Sequence, residues 1–242
     1  MPAKRFYVKE PLDLQEKLLL QGEEFHHLCH VMRVKENESI EVVNGLGALA
    51  QATVRSLEKK QAVLQLISLE LKPSPPHRLI LAQALPRIPR LEYILEKSVE
   101  LGATDLWLFP GALSEKEEVS PSQRQRMQGI LISSLKQCGR LFLPSLLYKP
   151  LLSKWNAEEI PKSSFFGDTR PSSSPLYSSL SLLSSPQDLL IAIGPESGFH
   201  PKEVQIMEDS LGMQGVRLHE NILRTDTAAI ASLAIASCFT CR

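Results

Sequence analysis

Three prolines within four residues, Pro73-Ser74-Pro75-Pro76, constrain this chain more than any other feature, because such a run can extend neither a helix nor a strand ladder. The hydrophobic period differs on its two sides. Before it, Ile40-Glu41-Val42-Val43 leads into Asn44-Gly45, a dipeptide favoured in hairpins, and Ala52-Thr53-Val54 and Val63-Leu64-Gln65-Leu66 continue an alternating pattern. After it, short apolar runs alternate with helical faces. Leu79-Ile80-Leu81-Ala82 reads as a strand, and Leu91, Ile94, Leu95, Ser98 and Leu101 trace a helix that stops at Gly102. Leu106-Trp107-Leu108-Phe109 is a second strand, and Ser120-Pro121 opens a helix running toward Gly139. Leu189-Leu190-Ile191-Ala192-Ile193 runs straight into Gly194, another helix starts near Pro201, Val216-Arg217-Leu218 is a short strand, and a last helix starts near Asp226. The reading is a β-rich domain over residues 1–72 and an α/β domain over 77–242, with a mostly parallel sheet covered by helices. The Ser-rich stretch 171–186, with three prolines, reads as a surface linker or insertion.

Composition narrows the class. In 242 residues, 27 Lys and Arg balance 27 Asp and Glu, and 43% are hydrophobic, so neither a disordered chain nor a global polycation fits. The N-terminus lacks the apolar core of a secretory leader, and no apolar stretch approaches the roughly 20 residues that span a bilayer. A soluble cytoplasmic protein without a membrane partner is expected. Four cysteines are too few for a disulfide scaffold, and Cys238 and Cys241 read as incidental thiols. No metal site is expected, since the spacing in His26-His27-Leu28-Cys29-His30 matches no standard zinc set.

Ligands of open α/β sheets bind where strands end, which draws attention to two loops. In Gly194-Pro195-Glu196-Ser197-Gly198 the glycines permit positive φ or close backbone approach, and Glu196 adds a charge; an ordinary strand-to-helix turn is the plain alternative. In Glu220-Asn221-Ile222-Leu223-Arg224-Thr225-Asp226-Thr227, a cation, a carboxylate and two hydroxyls gather at a helix start, where they would equally serve as a cap. Dinucleotide and P-loop glycine patterns are absent, and Ser197 lacks nucleophile-elbow spacing. Two basic stretches, His77 to Leu91 and Ser122 to Lys149, contain no Asp or Glu and suit either phosphate contact or plain solvation.

Together these loops resemble the SPOUT methyltransferases, and within them the ribosomal RNA small subunit methyltransferase E family. Glu96-Lys97-Ser98-Val99-Glu100-Leu101-Gly102, Lys136-Gln137-Cys138-Gly139-Arg140, and His27 with Val31-Met32-Arg33 extend the likeness over nearly the whole chain. The resemblance implies a PUA-like RNA-binding domain, a trefoil-knotted α/β domain, S-adenosylmethionine as cofactor, a homodimer, and methylation of N3 of one uridine in 16S rRNA of the small ribosomal subunit. It places the cofactor against Gly167, Gly194, Pro195, Glu196, Gly198, Leu218, Asn221, Leu223, Thr225 and Thr227. It makes Arg224, Glu196 and Asp226 the catalytic candidates, and Arg33, Arg87, Arg90 and Arg140 the RNA contacts. Three residues or segments depart from the family pattern. Ser197 replaces a second glycine, Asp226 a glutamate, and Pro86-Arg87-Ile88-Pro89-Arg90 is unusually proline-rich. If the Ser197 position demands positive φ, the loop is strained. The alternatives are a non-catalytic RNA-binding or ribosome-assembly factor, and a methyltransferase of the same superfamily acting on tRNA or ribose.

Overall fold

The computed structural model describes residues 4–15 and 17–240, so Cys241, and the Cys238/Cys241 pair with it, lies outside the described residues. The chain forms two compact units, residues 1–74 with 132–143, and residues 75–131 with 144–242.

The first unit holds β1 (Arg5–Tyr7), β2 (Lys17–Gln21), β3 (Ser39–Val43), β4 (Ala48–Leu57) and β5 (Gln61–Leu71), in the order β1-β3-β4-β5-β2. Their alternation turns Phe6, Leu20, Ile40, Val42, Val54 and Leu64 into one core. The Asn44-Gly45 hairpin exists, but as a four-residue connection between Val43 and Ala48 rather than a tight two-residue turn. The Asn44 carboxamide oxygen accepts from the Leu46 and Ala48 amides at 2.9 and 3.2 Å, holding the wider loop. Gly47, at φ +95, cannot carry a side chain, because a Cβ would lie 2.4 Å from Phe142 Cζ. Residues 132–143 were expected in the second domain; here Leu141 and Leu143 instead bond to Gly47 and Gly45 of this loop.

Between β2 and β3, helix α1 (Gly22–His26) widens into a π-type turn over His27–Val31, with the Met32 amide donating to the His27 carbonyl at 2.9 Å. Arg33 follows, exposed and at φ +50. Glu24, within α1, pairs with Lys136 at 2.5 Å and accepts the Tyr7 amide at 3.0 Å.

The second unit is built on seven strands paired in parallel. β6 (Leu79–Ala84), β7 (Asp105–Phe109), β8 (Ser145–Tyr148), β9 (Ser163–Gly167), β10 (Ser174–Pro175), β11 (Leu189–Ile193) and β12 (Gln214–Arg217) lie in the order β10-β12-β9-β11-β6-β7-β8. Helices α2 (Ile88–Glu100), α4 (Leu176–Ser181), α5 (Pro201–Gln205) and α6 (Thr225–Thr240) complete it, and α3 (Pro121–Cys138) begins in this unit and ends in the first. Gly102 and Gly139 follow α2 and α3 at φ +87 and +84, the left-handed stop that glycine adopts without steric cost. Ser120 caps α3, its hydroxyl accepting the Gln123 amide while the Gln123 side chain accepts the Ser120 amide.

One sheet face packs Ile80, Ala82, Phe166, Leu190 and Ala192 against Trp107, Trp155 and Met207. The alternate residues Leu79, Leu81 and Gln83 face the other way, and α6 packs on β6, β11 and α2. The Ser-rich stretch is not only a linker. It contains β10 and α4, whose Leu176 and Leu180, four residues apart, are buried.

Candidate functional site

A cleft of about 330 Å³ opens at the carboxyl ends of three parallel strands. Its walls are the segment after β9 (Phe166 to Thr169), the loop after β11 (Ile193 to Phe199), and the segment after β12 (Arg217 to Thr225). An all-parallel arrangement leaves every strand ending on one side, so three exits meet there.

Two glycines shape the β11 exit for different reasons. At Gly194 a Cβ would lie 3.1 Å from the Gly198 carbonyl carbon and 3.2 Å from the Phe199 nitrogen, so a side chain there would press on the returning loop backbone. Gly198 carries φ +74, faces open space, and donates its amide to the Pro195 carbonyl at 2.9 Å. Ser197 is not among the residues at positive φ. The serine is therefore accommodated without strain, because the left-handed position is the next residue.

The β9 exit is held by Asp168, whose carboxylate accepts the Arg170 amide at 3.0 Å, the Arg170 guanidinium at 2.7 Å and the Ser173 hydroxyl. Arg170 also reaches Glu208. Burial alone would push the Asp168 carboxyl up, but the hydrogen bonds from Ser173 and Arg170 outweigh it and hold it below the usual aspartate range. Gly215 makes room, since a Cβ there would meet Asp168 Oδ2 at 2.6 Å. With its folded pKa depressed, this carboxylate contributes stability that is fully present above its ordinary value of 3.8 and lost as pH falls through the lower folded value. The urea midpoint of wild type should exceed that of Asp168→Asn at about pH 6, with the gap closing toward about pH 3. An equal gap at both pH values would refute the assignment.

The charged residues organise differently from the sequence expectation. Arg90, near the start of α2, pairs with Glu196 at 3.2 Å and with Asp226 at 3.3 Å, bridging the β11 exit to the first turn of α6. Glu196 also accepts the Arg87 amide at 3.2 Å, while the Arg87 guanidinium lies on Glu115 at 2.9 Å. Both prolines of the 86–90 segment are compatible with this geometry, since Arg87 is the N-cap and Pro89 falls within the first helical positions. Below the loop, buried Glu203 accepts the His200 amide at 2.9 Å and the Ala112 amide at 3.0 Å. That carboxylate ties the β7 exit to the start of α5.

Of the cofactor candidates, Gly167, Gly194, Pro195, Glu196, Gly198, Leu218, Asn221, Leu223 and Thr225 line the cleft, and Thr227 does not. Arg224 and Asp226 also lie outside its lining; the Arg224 side chain is exposed, with no ion pair to a described residue. Arg33 and Arg140 belong to the first unit, Arg87 and Arg90 to the second. The sequence reading missed Asp168, Phe199, His219 and Ala228 in the walls. Only the turn at Gly167 signalled the β9 exit. Among the described residues no group of three His, Cys, Asp or Glu could hold a metal, and no helix is long and apolar enough to cross a membrane.

Such a sheet, with a glycine-shaped cleft at its strand ends, defines a class with which known families agree. Residues 73–237 match the family model described as an RNA methyltransferase domain, and residues 20–67 that of an RNA methyltransferase PUA domain. A ribosomal RNA small subunit methyltransferase E from Helicobacter pylori is 30% identical over 205 residues, covering 81% of this chain and 84% of that protein. Its namesake from Buchnera aphidicola is 27% identical over 237 residues, covering 95% and 90%. The crystal structure of a ribosomal RNA small subunit methyltransferase E from Neisseria gonorrhoeae bound to S-adenosyl methionine superposes with a TM-score of 0.81 at 29% identity, covering 97% of this chain and 95% of that one. The chain belongs to the ribosomal RNA small subunit methyltransferase E family. Its fold class is the one expected, a SPOUT-type α/β domain with a PUA-like β-rich domain before it.

Proposed function

We propose that this chain is a cytoplasmic enzyme that binds S-adenosylmethionine in the cleft and methylates N3 of one uridine in 16S rRNA of the small ribosomal subunit. The supporting observation is the cleft itself, whose three walls of loop backbone include two glycines, Gly194 packed against the returning loop and Gly198 at positive φ facing open space. Its volume lies within the range of about 300 to 1,000 Å³ usual for small-molecule sites. Of its three lining carboxylates, Asp168 and Glu196 are paired with Arg170 and Arg90, which leaves Glu220 beside Arg217. When bound, the donor supplies an activated methyl group on a sulfonium.

The acceptor nitrogen of uracil becomes a good nucleophile only after losing its proton. The protein must therefore favour negative charge on the base. Arg224, exposed at the cleft-side end of α6 and free of carboxylate partners among the described residues, is assigned to stabilise the charge developing on the uracil oxygens. Glu196 and Asp226, engaged by Arg90, are assigned to hold the two loops in register. Arg90 is therefore moved from RNA contact to loop clasp. Arg33, Arg87 and Arg140 remain the proposed phosphate contacts, Arg87 exchanging Glu115 for a phosphate. The non-catalytic reading drew on Ser197, and that residue imposes no strain.

The proposed homodimer draws on α6. Its buried stripe, Thr225, Ala229, Ser232, Leu233 and Ala236, packs within the unit, while Thr227, Ala234 and Cys238 are exposed beside half-buried Ile230 and Ala231. That second face is small and mostly apolar, suited to close helix approach. Sedimentation equilibrium should return twice the 27.0 kDa chain mass at micromolar concentration; a purely monomeric species would oppose the dimer.

The activity is tested by incubating 30S subunits and free 16S rRNA, both lacking the modification, with protein and methyl-labelled donor, then digesting to nucleosides for mass analysis. 3-Methyluridine from 16S rRNA is expected. Recovering 2′-O-methyl nucleosides, or label in tRNA alone, would replace this reading with the superfamily alternative.

A further inference from the structure

Gln83 is the second-last residue of β6, fully buried, and it does not line the cleft. A polar side chain in that position needs a reason, because its neighbours along the same face, Leu79 and Leu81, are the apolar residues a sheet under a helix calls for. Its amide nitrogen faces four acceptors from three elements. These are the Ala84 carbonyl at 2.9 Å, the Thr225 hydroxyl at 3.0 Å, the Gly194 carbonyl at 3.2 Å and the Ile193 carbonyl at 3.3 Å. The orientation of the amide follows, since turning it over would set Oε1 against three carbonyl oxygens. Gln83 Oε1 itself is buried without a partner among the described residues, an arrangement that costs stability.

The Thr225 hydroxyl completes the arrangement by donating to the same Gly194 carbonyl at 2.6 Å. That carbonyl is thus reached by two donors, the Gln83 amide of β6 at 3.2 Å and the Thr225 hydroxyl at the start of α6 at 2.6 Å. The next residue is Pro195, which has no amide hydrogen. With the Gly194 carbonyl fixed inward, the plane of the Gly194–Pro195 peptide is set, and with it the direction in which Glu196, Ser197 and Gly198 leave the sheet. Arg90 joins the same two loops through side chains, whereas Gln83 and Thr225 join them at the backbone, where the cleft wall is made.

We infer that Gln83 is a positioning residue for methyl-donor binding: it sacrifices a matched hydrogen-bond acceptor in the core to fix the Gly194 peptide through which the β11 exit and the α6 start form one rigid wall. The inference rests on the reading of the cleft as the donor site. It separates stability from binding. Gln83→Met keeps the length and removes both the amide and the orphaned oxygen, while the Gly194 carbonyl retains the Thr225 hydroxyl. Folding should therefore be preserved and donor binding should not.

Titration calorimetry of the full-length protein with S-adenosylmethionine, well below the unfolding temperature, tests this. The Gln83→Met dissociation constant should rise about tenfold, equivalent to about 1.4 kcal/mol, with the thermal midpoint unchanged or higher. In single-turnover assays the half-saturating donor concentration should rise while the rate at saturating donor changes little. A folded Gln83→Met that binds like wild type overturns the inference, as does weaker binding fully accounted for by a larger unfolded fraction. Should Gln83→Met fail to fold, Gln83→Leu, the residue type found at Leu79 and Leu81 on the same face, takes its place, and a folded Gln83→Leu that binds like wild type overturns the inference. A wild type that shows no donor binding overturns the cleft reading itself, whereas binding wild type with equally binding variants overturns the role of Gln83 alone.

Discussion

Arg224→Ala should lower the single-turnover methylation rate by about 100- to 1,000-fold, the scale for removing one group that stabilises transition-state charge, while S-adenosylmethionine affinity stays within a few-fold of wild type. The effect is electrostatic. A guanidinium repels a sulfonium and attracts a uracilate, so its interaction grows as the acceptor loses its proton and the donor charge is neutralised. Position agrees with this division, because Arg224 is exposed and outside the lining of the cleft although its neighbours Leu223 and Thr225 belong to it. Lysine at this position should recover only part of the rate, since an ammonium lacks the fixed planar set of donors that a guanidinium holds toward a developing oxyanion. The measurement is a rapid-quench time course at saturating donor and RNA, paired with calorimetry for the donor alone. If affinity collapses and the saturated rate is normal, Arg224 belongs to the donor pocket.

How far such a site can be read from sequence depends on the distance over which its residues cooperate. β11 was legible to the residue, because all five positions from Leu189 to Ile193 are buried and Gly194 ends the run. β8 and β9 escaped the reading. Ser145 to Tyr148 is half-exposed, with only three apolar residues between a serine and a lysine, and β9 begins with two serines that are buried nonetheless. Composition misled at the Ser-rich stretch, where two leucines four residues apart outweigh the serines and fold α4. The two glycine and hydroxyl loops announced themselves because strand ends and helix starts have local signatures. Arg90 did not, since its role depends on Asp226, 136 residues away, and an acid-free stretch looks the same whether its cations meet phosphates or the protein's own carboxylates. Ser197 shows the converse limit, as a substitution against the family pattern raised a strain argument that only the backbone angles could answer.

Gly198→Val should abolish measurable S-adenosylmethionine binding, an affinity loss of about 100-fold or more, while the protein remains folded. Two effects act together. The residue sits at φ +74, where a β-branched side chain costs on the order of 1–3 kcal/mol, and the loop can relieve that strain only by turning away from its present path. Apart from its two chain neighbours, no atom of a described residue lies within 4 Å of a Cβ built there, so the first added atom meets open space. The loss therefore falls on the shape of the cleft and on the space a ligand would fill. Gly194→Ala supplies the contrast. Its Cβ would meet the backbone of Gly198 and Phe199 at 3.1–3.2 Å, so this smaller change should lower thermal stability as well as binding. Circular dichroism melts and donor titrations on both variants separate the two effects. A folded Gly198→Val protein with unchanged donor affinity would remove the β11 exit from the binding site.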